Sequence, residues 1–190
     1  MSLDVLYEDN HLIVINKKAG DLVQGDYTGD TPLNELVKGY IKKKYNKPGD
    51  VFLGTVHRLD RPTSGIVLFA RTSKALARMN LMFKEKTIQK TYWAVTEKSP
   101  QVDKGVCIDY LAKNPDKNKS FIVQPSKNGA KRAELSFKVV GKGDRYSFIE
   151  VLPVTGRHHQ IRAQLSHVGA IIKGDLKYGA KRSNKDGSIH

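Results

Sequence analysis

The chain has a single cysteine, Cys107, among 190 residues, which excludes an internal disulfide framework and a cysteine-rich zinc site. No stretch approaches the roughly 18 consecutive apolar residues of a membrane-spanning helix. The opening Met1-Ser2-Leu3-Asp4 lacks the charged-then-apolar pattern of a secretory leader. Internal repeats and low-complexity tracts are missing too. Acidic residues are scarce: 19 Asp and Glu stand against 33 Lys and Arg, a formal charge of +14. Such a surplus attracts polyanions through counterion release, so nucleic acid heads the list of partners. The plain alternative is charge that serves solubility alone. With 39% hydrophobic and 27% charged residues the chain can build a core, and its length suits one domain. These features lead us to expect a soluble, cytoplasmic protein with no membrane partner, monomeric by default.

Several catalytic signatures are also absent. There is no Gly-x-x-x-x-Gly-Lys-Ser/Thr phosphate loop, no Gly-x-Gly-x-x-Gly after a strand, and no His-Glu-x-x-His pair. His158 and His159 are adjacent, and on a helix they diverge by about 100°, a poor arrangement for sharing a metal. ATP, nicotinamide and zinc chemistry are therefore not expected, and neither a metal nor a cofactor is assigned.

Periodicity places the elements. Leu12-Ile13-Val14-Ile15 reads as a buried strand, and Gly65 to Ala70 as another. Pro32 to Tyr45 reads as a helix with Leu33, Leu36, Val37 and Ile41 on one face and Lys42, Lys43 and Lys44 in its last turns. Thr72 or Ser73 caps a second helix bearing Leu76, Met79 and Phe83. Lys90 to Val95 is β-rich. Ala133, Leu135, Phe137 and Val139 alternate with polar residues as a half-buried strand does. Arg145 to Leu152 is its expected partner across the turn-rich Gly141 to Asp144. Lys113 to Lys131 is expected to be a loop or edge hairpin. Thr155-Gly156 leads into a short helix with Ile161, Leu165 and Val168 inward and Gly169 at its end. Strands and helices mix without regular βαβ alternation, so the expected class is α+β, with a mixed, largely antiparallel central sheet and flanking helices.

Two segments carry candidate chemistry. In Gly54-Thr-Val-His-Arg-Leu-Asp-Arg-Pro-Thr-Ser-Gly65, Asp60 is an isolated carboxylate between Arg58 and Arg61. Nearby cations favour its ionised form; alternatively, Asp60 only ties down the turn at Pro62. In Val154-Thr-Gly-Arg-His-His-Gln-Ile-Arg-Ala-Gln-Leu165, Arg162 flanks the apolar face. An arginine at a core margin needs an anionic partner or a path to water. Asp60 is one candidate partner, and a solvated phosphate-binding residue or a plain surface charge is the alternative. His57, His158 and His159 read as packing or positioning residues rather than proton carriers.

Taken in order, these residues resemble the signature motifs of the RluA family of RNA pseudouridine synthases. The resemblance rests on His57-Arg-Leu-Asp60, Thr63-Ser-Gly65, Lys90-Thr-Tyr92, Gly156-Arg-His-His-Gln-Ile-Arg162 and Gly174-Asp-Leu-Lys-Tyr-Gly179. The opening Leu6 to Lys17, with Gly20, is similar to the usual start of that catalytic domain. The match runs from about Val5 to Tyr178. It implies the pseudouridine synthase fold and isomerisation of uridine to pseudouridine in structured ribosomal or transfer RNA. The base is detached, rotated and rejoined through carbon, without metal, redox change or nucleotide cofactor.

The resemblance also implies roles. Asp60 is the catalytic aspartate, acting at the sugar of a flipped-out nucleotide as nucleophile or base. Arg162 pairs with it, and Tyr92 lies against the uracil; the alternative for Tyr92 is a buried sheet aromatic beside Trp93. Arg58 fills the space the base leaves. RNA contacts are expected from His57, Arg58, Arg61, Thr63, Arg157, His159 and Gln160, and DNA is not expected as a partner. Residues 1–190 are expected to form one catalytic domain, beginning without the small N-terminal RNA-binding domain of many relatives. Relatives usually continue past the region of Ser183 to His190 with another strand and a short tail, so the chain is expected either to be a fragment or to finish the C-terminal sheet edge differently. Two rivals are weighed: a non-catalytic RNA-binding module on this fold, and an RNA or phosphoester hydrolase using Asp60 with the histidines. The hydrolase would want clustered metal carboxylates or a positioned histidine pair.

Overall fold

A computed structural model of the chain describes residues 3–26 and 28–189. Met1 and Ser2 of the opening segment, Tyr27, and His190 of the closing one lie outside the described residues. The chain divides into two compact units, 1–88 and 89–190. Every strand pairing in both is antiparallel, within the expected α+β class.

The first unit builds a four-stranded sheet ordered β1 (Val5–Glu8), β2 (Leu12–Lys17), β4 (Gly65–Ala70), β3 (Gly54–Thr55). Period-two alternation sends Ile13 and Ile15 of β2 inward. There they meet Val67 and Phe69 of β4 and the i, i+4, i+8 stripe Leu33, Val37 and Ile41 of α1 (Leu33–Lys44). Each of these side chains is essentially withdrawn from water, worth about 1.5–3 kcal/mol apiece before entropy is counted. The same alternation carries Lys17 into that inner row, an unusual place for a lysine. Glu35 in the first turn of α1 and Lys42, Lys43 and Lys44 in its last complement the helix dipole. Thr72 caps α2 (Ser73–Lys84) through Oγ1, which accepts from the backbone N–H of Ala75 at 3.1 Å. A Cβ on Gly54 would stand 2.7 Å from Leu76, so glycine lets α2 lie close on β3.

The second unit holds a five-stranded sheet ordered β5 (Tyr92–Thr96), β9 (Ser147–Pro153), β8 (Lys131–Lys142), β6 (Lys104–Asn114), β7 (Lys119–Val123). Ala94, Cys107, Leu135, Phe137, Ile149 and Val151 project from one face onto Leu165 of α3 (Gln160–His167) and onto Ala170, Ile172 and Ile189. The segment expected as loop or edge hairpin, Lys113 to Lys131, contains the turn after β6 and the edge strand β7, while most of the partner strand β6 lies before it. Gly169, φ +81°, follows α3 as expected. Arg162, Ala163, Gln164 and Leu165 are all buried, so α3 is enclosed on more than its apolar stripe.

Candidate active site

In the first unit the connection from β3 to β4 carries His57, Arg58, Asp60, Arg61 and Thr63. Asp60 is half-buried at the head of a turn, its carbonyl accepting from the N–H of Thr63 at 3.0 Å. The Lys17 ammonium, 1% exposed, lies under this turn. It donates to the carbonyl oxygens of Lys18 (3.0 Å), Arg61 (3.1 Å) and Thr63 (2.6 Å). Burial pulls the Lys17 ionisation down to about 8, opposed by Asp21 and Asp60 and assisted by Arg61.

Other side chains of this loop are engaged within the unit. Arg61 donates from Nε to the carbonyl of Gly20 (3.0 Å) and from a terminal nitrogen to Asp30 (2.6 Å), while its own carbonyl receives the N–H of Gly20 at 2.8 Å. His57 extends the sheet edge where β3 stops: its Nε2 accepts the backbone N–H of Leu68 at 3.1 Å, and its ring stacks on Phe83. That bond requires Nε2 to be unprotonated. Arg58 is exposed.

In the second unit Tyr92 opens β5 opposite Val151 and packs, half-buried, against the core. Arg162 and Asp175 are 8% and 1% exposed. They form a two-pronged ion pair, Nε to Oδ2 at 2.7 Å and a terminal nitrogen to Oδ1 at 2.8 Å. The guanidinium also stands 5.1 Å from the ring centre of Tyr178. Asp175 thus takes two of the five donors that arginine carries.

Around this pair the start of α3 is tied down. The buried Tyr178 hydroxyl donates to the carbonyl of Ser120 and accepts its N–H, both at 3.0 Å. His159 Nδ1 lies 3.1 Å from the same oxygen. With the phenol proton directed to Ser120, His159 donates there and carries its proton on Nδ1. His159 caps α3 at φ +52°, a left-handed conformation uncommon outside glycine. His158 stacks on His159 and its Nδ1 meets Ser120 Oγ at 2.9 Å. Gln160 is buried: Oε1 accepts from Thr155 Oγ1 (2.7 Å) and the N–H of Arg157 (3.0 Å), and Nε2 donates to the carbonyl of Glu134 (3.0 Å). Arg157 is exposed, with Nε on the carbonyl of Arg132 at 2.9 Å.

Of the expected site residues, Asp60, Arg61 and Thr63 share one turn, and His159, Gln160 and Arg162 one helix start. Lys17, Asp175 and Tyr178, which hydrogen-bond to these residues or to their backbone, were not among the expected site residues. A lysine in phase with Ile13 and Ile15 was the available signal for the first. For the other two it was an acid and an aromatic inside Gly174-Asp-Leu-Lys-Tyr-Gly179. Among the described residues no group of three or more His, Cys, Asp or Glu is placed to hold a metal.

Two solved human structures share this architecture. RNA Pseudouridylate Synthase Domain Containing 4 superposes with a TM-score of 0.78 at 26% identity, over 92% of this chain and 68% of that one. RNA Pseudouridylate Synthase Domain Containing 1 gives 0.71 at 23% identity, over 98% and 71%, a likeness of fold alone. The fold is that of a pseudouridylate synthase domain. The family model described as RNA pseudouridylate synthase matches residues 11–167. Ribosomal large subunit pseudouridine synthase C of Vibrio vulnificus (strain CMCP6) is 37% identical over 179 residues, 94% of this chain and 53% of that protein. The tRNA pseudouridine synthase C of Pectobacterium carotovorum subsp. carotovorum is 32% identical over 200 residues, 99% of this chain and 51% of its own length. The chain belongs to the RNA pseudouridylate synthase family, on the RluA side that its motifs resemble. It spans about half the length of these curated relatives.

Proposed function

We propose that this chain is an RNA pseudouridine synthase that isomerises uridine in structured ribosomal or transfer RNA, in the cytoplasm, as a monomer and without a cofactor. The observation that carries the reading is Asp60, a half-buried carboxylate on a turn whose carbonyls are tied from beneath by a buried ammonium. A fixed anion is what the sugar chemistry needs, whether the carboxylate attacks the anomeric carbon or removes a sugar hydrogen.

The reaction breaks the bond from the sugar to N1 of uracil and makes one to C5. N1 gains a proton and C5 loses one, so no redox partner is needed. Asp60 supplies the anion. Arg162, oriented by Asp175, is the cation assigned to hold that carboxylate, and lysine would serve poorly because it lacks the planar fork. Tyr92 offers its ring to the uracil and its phenol to the proton transfer. Flipping a stacked uridine costs a few kcal/mol, and Arg58 is the exposed side chain assigned to the vacated space. The charge of +14 supports phosphate contacts whose strength falls with salt.

The test is to incubate unmodified ribosomal and transfer RNA with the wild type, Asp60→Asn and Asp60→Ala, and to map pseudouridine by carbodiimide-based sequencing. Site-specific signal in the wild type and none in either variant is expected. Salt-sensitive RNA binding without signal in any of the three would refute the enzyme reading in favour of a binding module. Shortened RNA would point to the hydrolase.

A further inference from the structure

We propose that the outer face of the five-stranded sheet, turned away from α3, is a second RNA-contact surface, on which Trp93 stacks an unpaired base while Lys138 and Lys104 hold phosphates of the same single strand. The inference rests on the RNA-modifying reading in taking RNA as the partner. It goes beyond that reading in naming an unpaired segment, separate from the target nucleotide, as what this face binds. Strand alternation sorts the sheet. Ala94, Ile149, Phe137 and Cys107 pack with Leu165 of α3, so the residues between them in β5, β9, β8 and β6 face the other way. Register sets Trp93 opposite Glu150, Glu150 opposite Lys138, and Lys138 opposite Lys104. This is one row across four strands, with the two lysines about 10 and 14 Å from the tryptophan along the backbone.

Trp93 is 68% exposed, a large apolar surface left in water on a sheet face. Its indole meets Phe148 edge to face, centroids 5.5 Å apart at 62°, a contact that steadies the ring. In phase with Phe148, at the start of β9, Tyr146 carries the Lys173 ammonium 5.4 Å from its ring centre. Lys104 and Lys138 are exposed and stand directly opposite each other. Like charges so placed weaken a strand pair, and a phosphate between them relieves the repulsion. Aromatic faces interleaved with cations are how proteins hold single strands, because every base offers a flat face and the backbone follows the charge. In a chain of +14 the partner whose charge fits is a polyanion. Glu150 is the acid of the row, and beside a stacked base its oxygens accept from an exocyclic amino group. That suits adenine, which carries such a donor, better than uracil.

Trp93 is the chain's single tryptophan, so its fluorescence reports on this face directly. The test titrates it with a short oligoadenylate, which offers no uridine to Asp60. Saturable quenching that weakens as salt rises is expected, and little quenching once the same strand is paired with oligouridylate. With labelled oligoadenylate followed by anisotropy, Trp93→Ala should lose affinity by about ten- to a hundredfold. Trp93→Phe, which keeps a flat ring, should lose far less. Lys104→Ala with Lys138→Ala should make the slope of log affinity against log salt shallower by about 1.4. All three positions are exposed, so thermal midpoints should hold. Unchanged affinity in Trp93→Ala, or wild-type binding without quenching, overturns the platform. A concentration-dependent blue shift of the Trp93 emission without RNA overturns it in favour of a protein interface. On an RNA that the wild type modifies, Trp93→Ala should raise KM and leave kcat unchanged, and an unchanged KM overturns the face's part in substrate binding. A wild type that modifies no RNA would instead sink the functional reading, and the oligoadenylate titration would then decide the platform alone.

Discussion

Replacing Asp175 by Asn is the most informative single change outside the reacting groups. The side chain keeps its shape but loses its charge, and it turns one acceptor into a donor facing the Arg162 guanidinium. Both partners are nearly dry, at 1% and 8% exposure. Removing one member of a buried pair strands the other, at a cost of about 3–5 kcal/mol. Against a total stability on the order of 5–15 kcal/mol, that is a large fraction. For a chain of this length each kcal/mol moves the thermal midpoint by roughly 2–4 °C, so a fall of about 6–20 °C is expected by calorimetry. The double variant Asp175→Leu, Arg162→Met should recover much of the loss, because an apolar pair of similar volume carries no stranded charge. It should stay inactive, since the arginine is gone. A loss below about 1 kcal/mol for Asp175→Asn would place the pair among weak, solvated bridges and refute the argument that Arg162 is oriented by a desolvated partner.

Other consequences follow from the same packing. Tyr178→Phe removes a hydroxyl that serves both the N–H and the C=O of Ser120. It should cost about 1–3 kcal/mol in urea unfolding through the orphaned, buried N–H. Gly174 has φ +84°, and a Cβ there would lie 2.6 Å from Asn184 Nδ2 and from the Ser188 carbonyl. Gly174→Ala should therefore loosen the 183–189 segment, seen as faster proteolysis there, whereas unchanged cleavage would contradict it. Burial pushes the Glu8 carboxyl up, but hydrogen bonds from Lys44, Tyr45 and Tyr40 outweigh it and hold the group below its usual 4.5. Its contribution is present above that value and lost as the pH falls through the lowered one. Glu8→Gln should thus lower stability at neutral pH and narrow its gap to the wild type in acid.

Much of this was legible in one dimension. Alternation at Ala133, Leu135 and Phe137 and the four-residue spacing of Leu33, Val37 and Ile41 reported buried faces because a strand or helix repeats its geometry locally. Thr72 announced a helix start because a cap acts within one turn. The signature motifs were readable because their residues are contiguous, and the family assignment came with them. β6 is harder to read. Val106 and Ile108 on its outer face are as apolar as Cys107 and Leu111 on its inner face, so polarity does not alternate.

The tertiary structure decided the partnerships. Asp175 follows Arg162 by 13 positions, Lys17 reaches carbonyls 44 and 46 residues ahead, and Tyr178 bonds the backbone of a strand 58 residues back. No periodicity encodes such pairs. They depend on strand register, on the paths of loops and on which polar groups are left without water once the core closes, and burial then makes each of them costly to break.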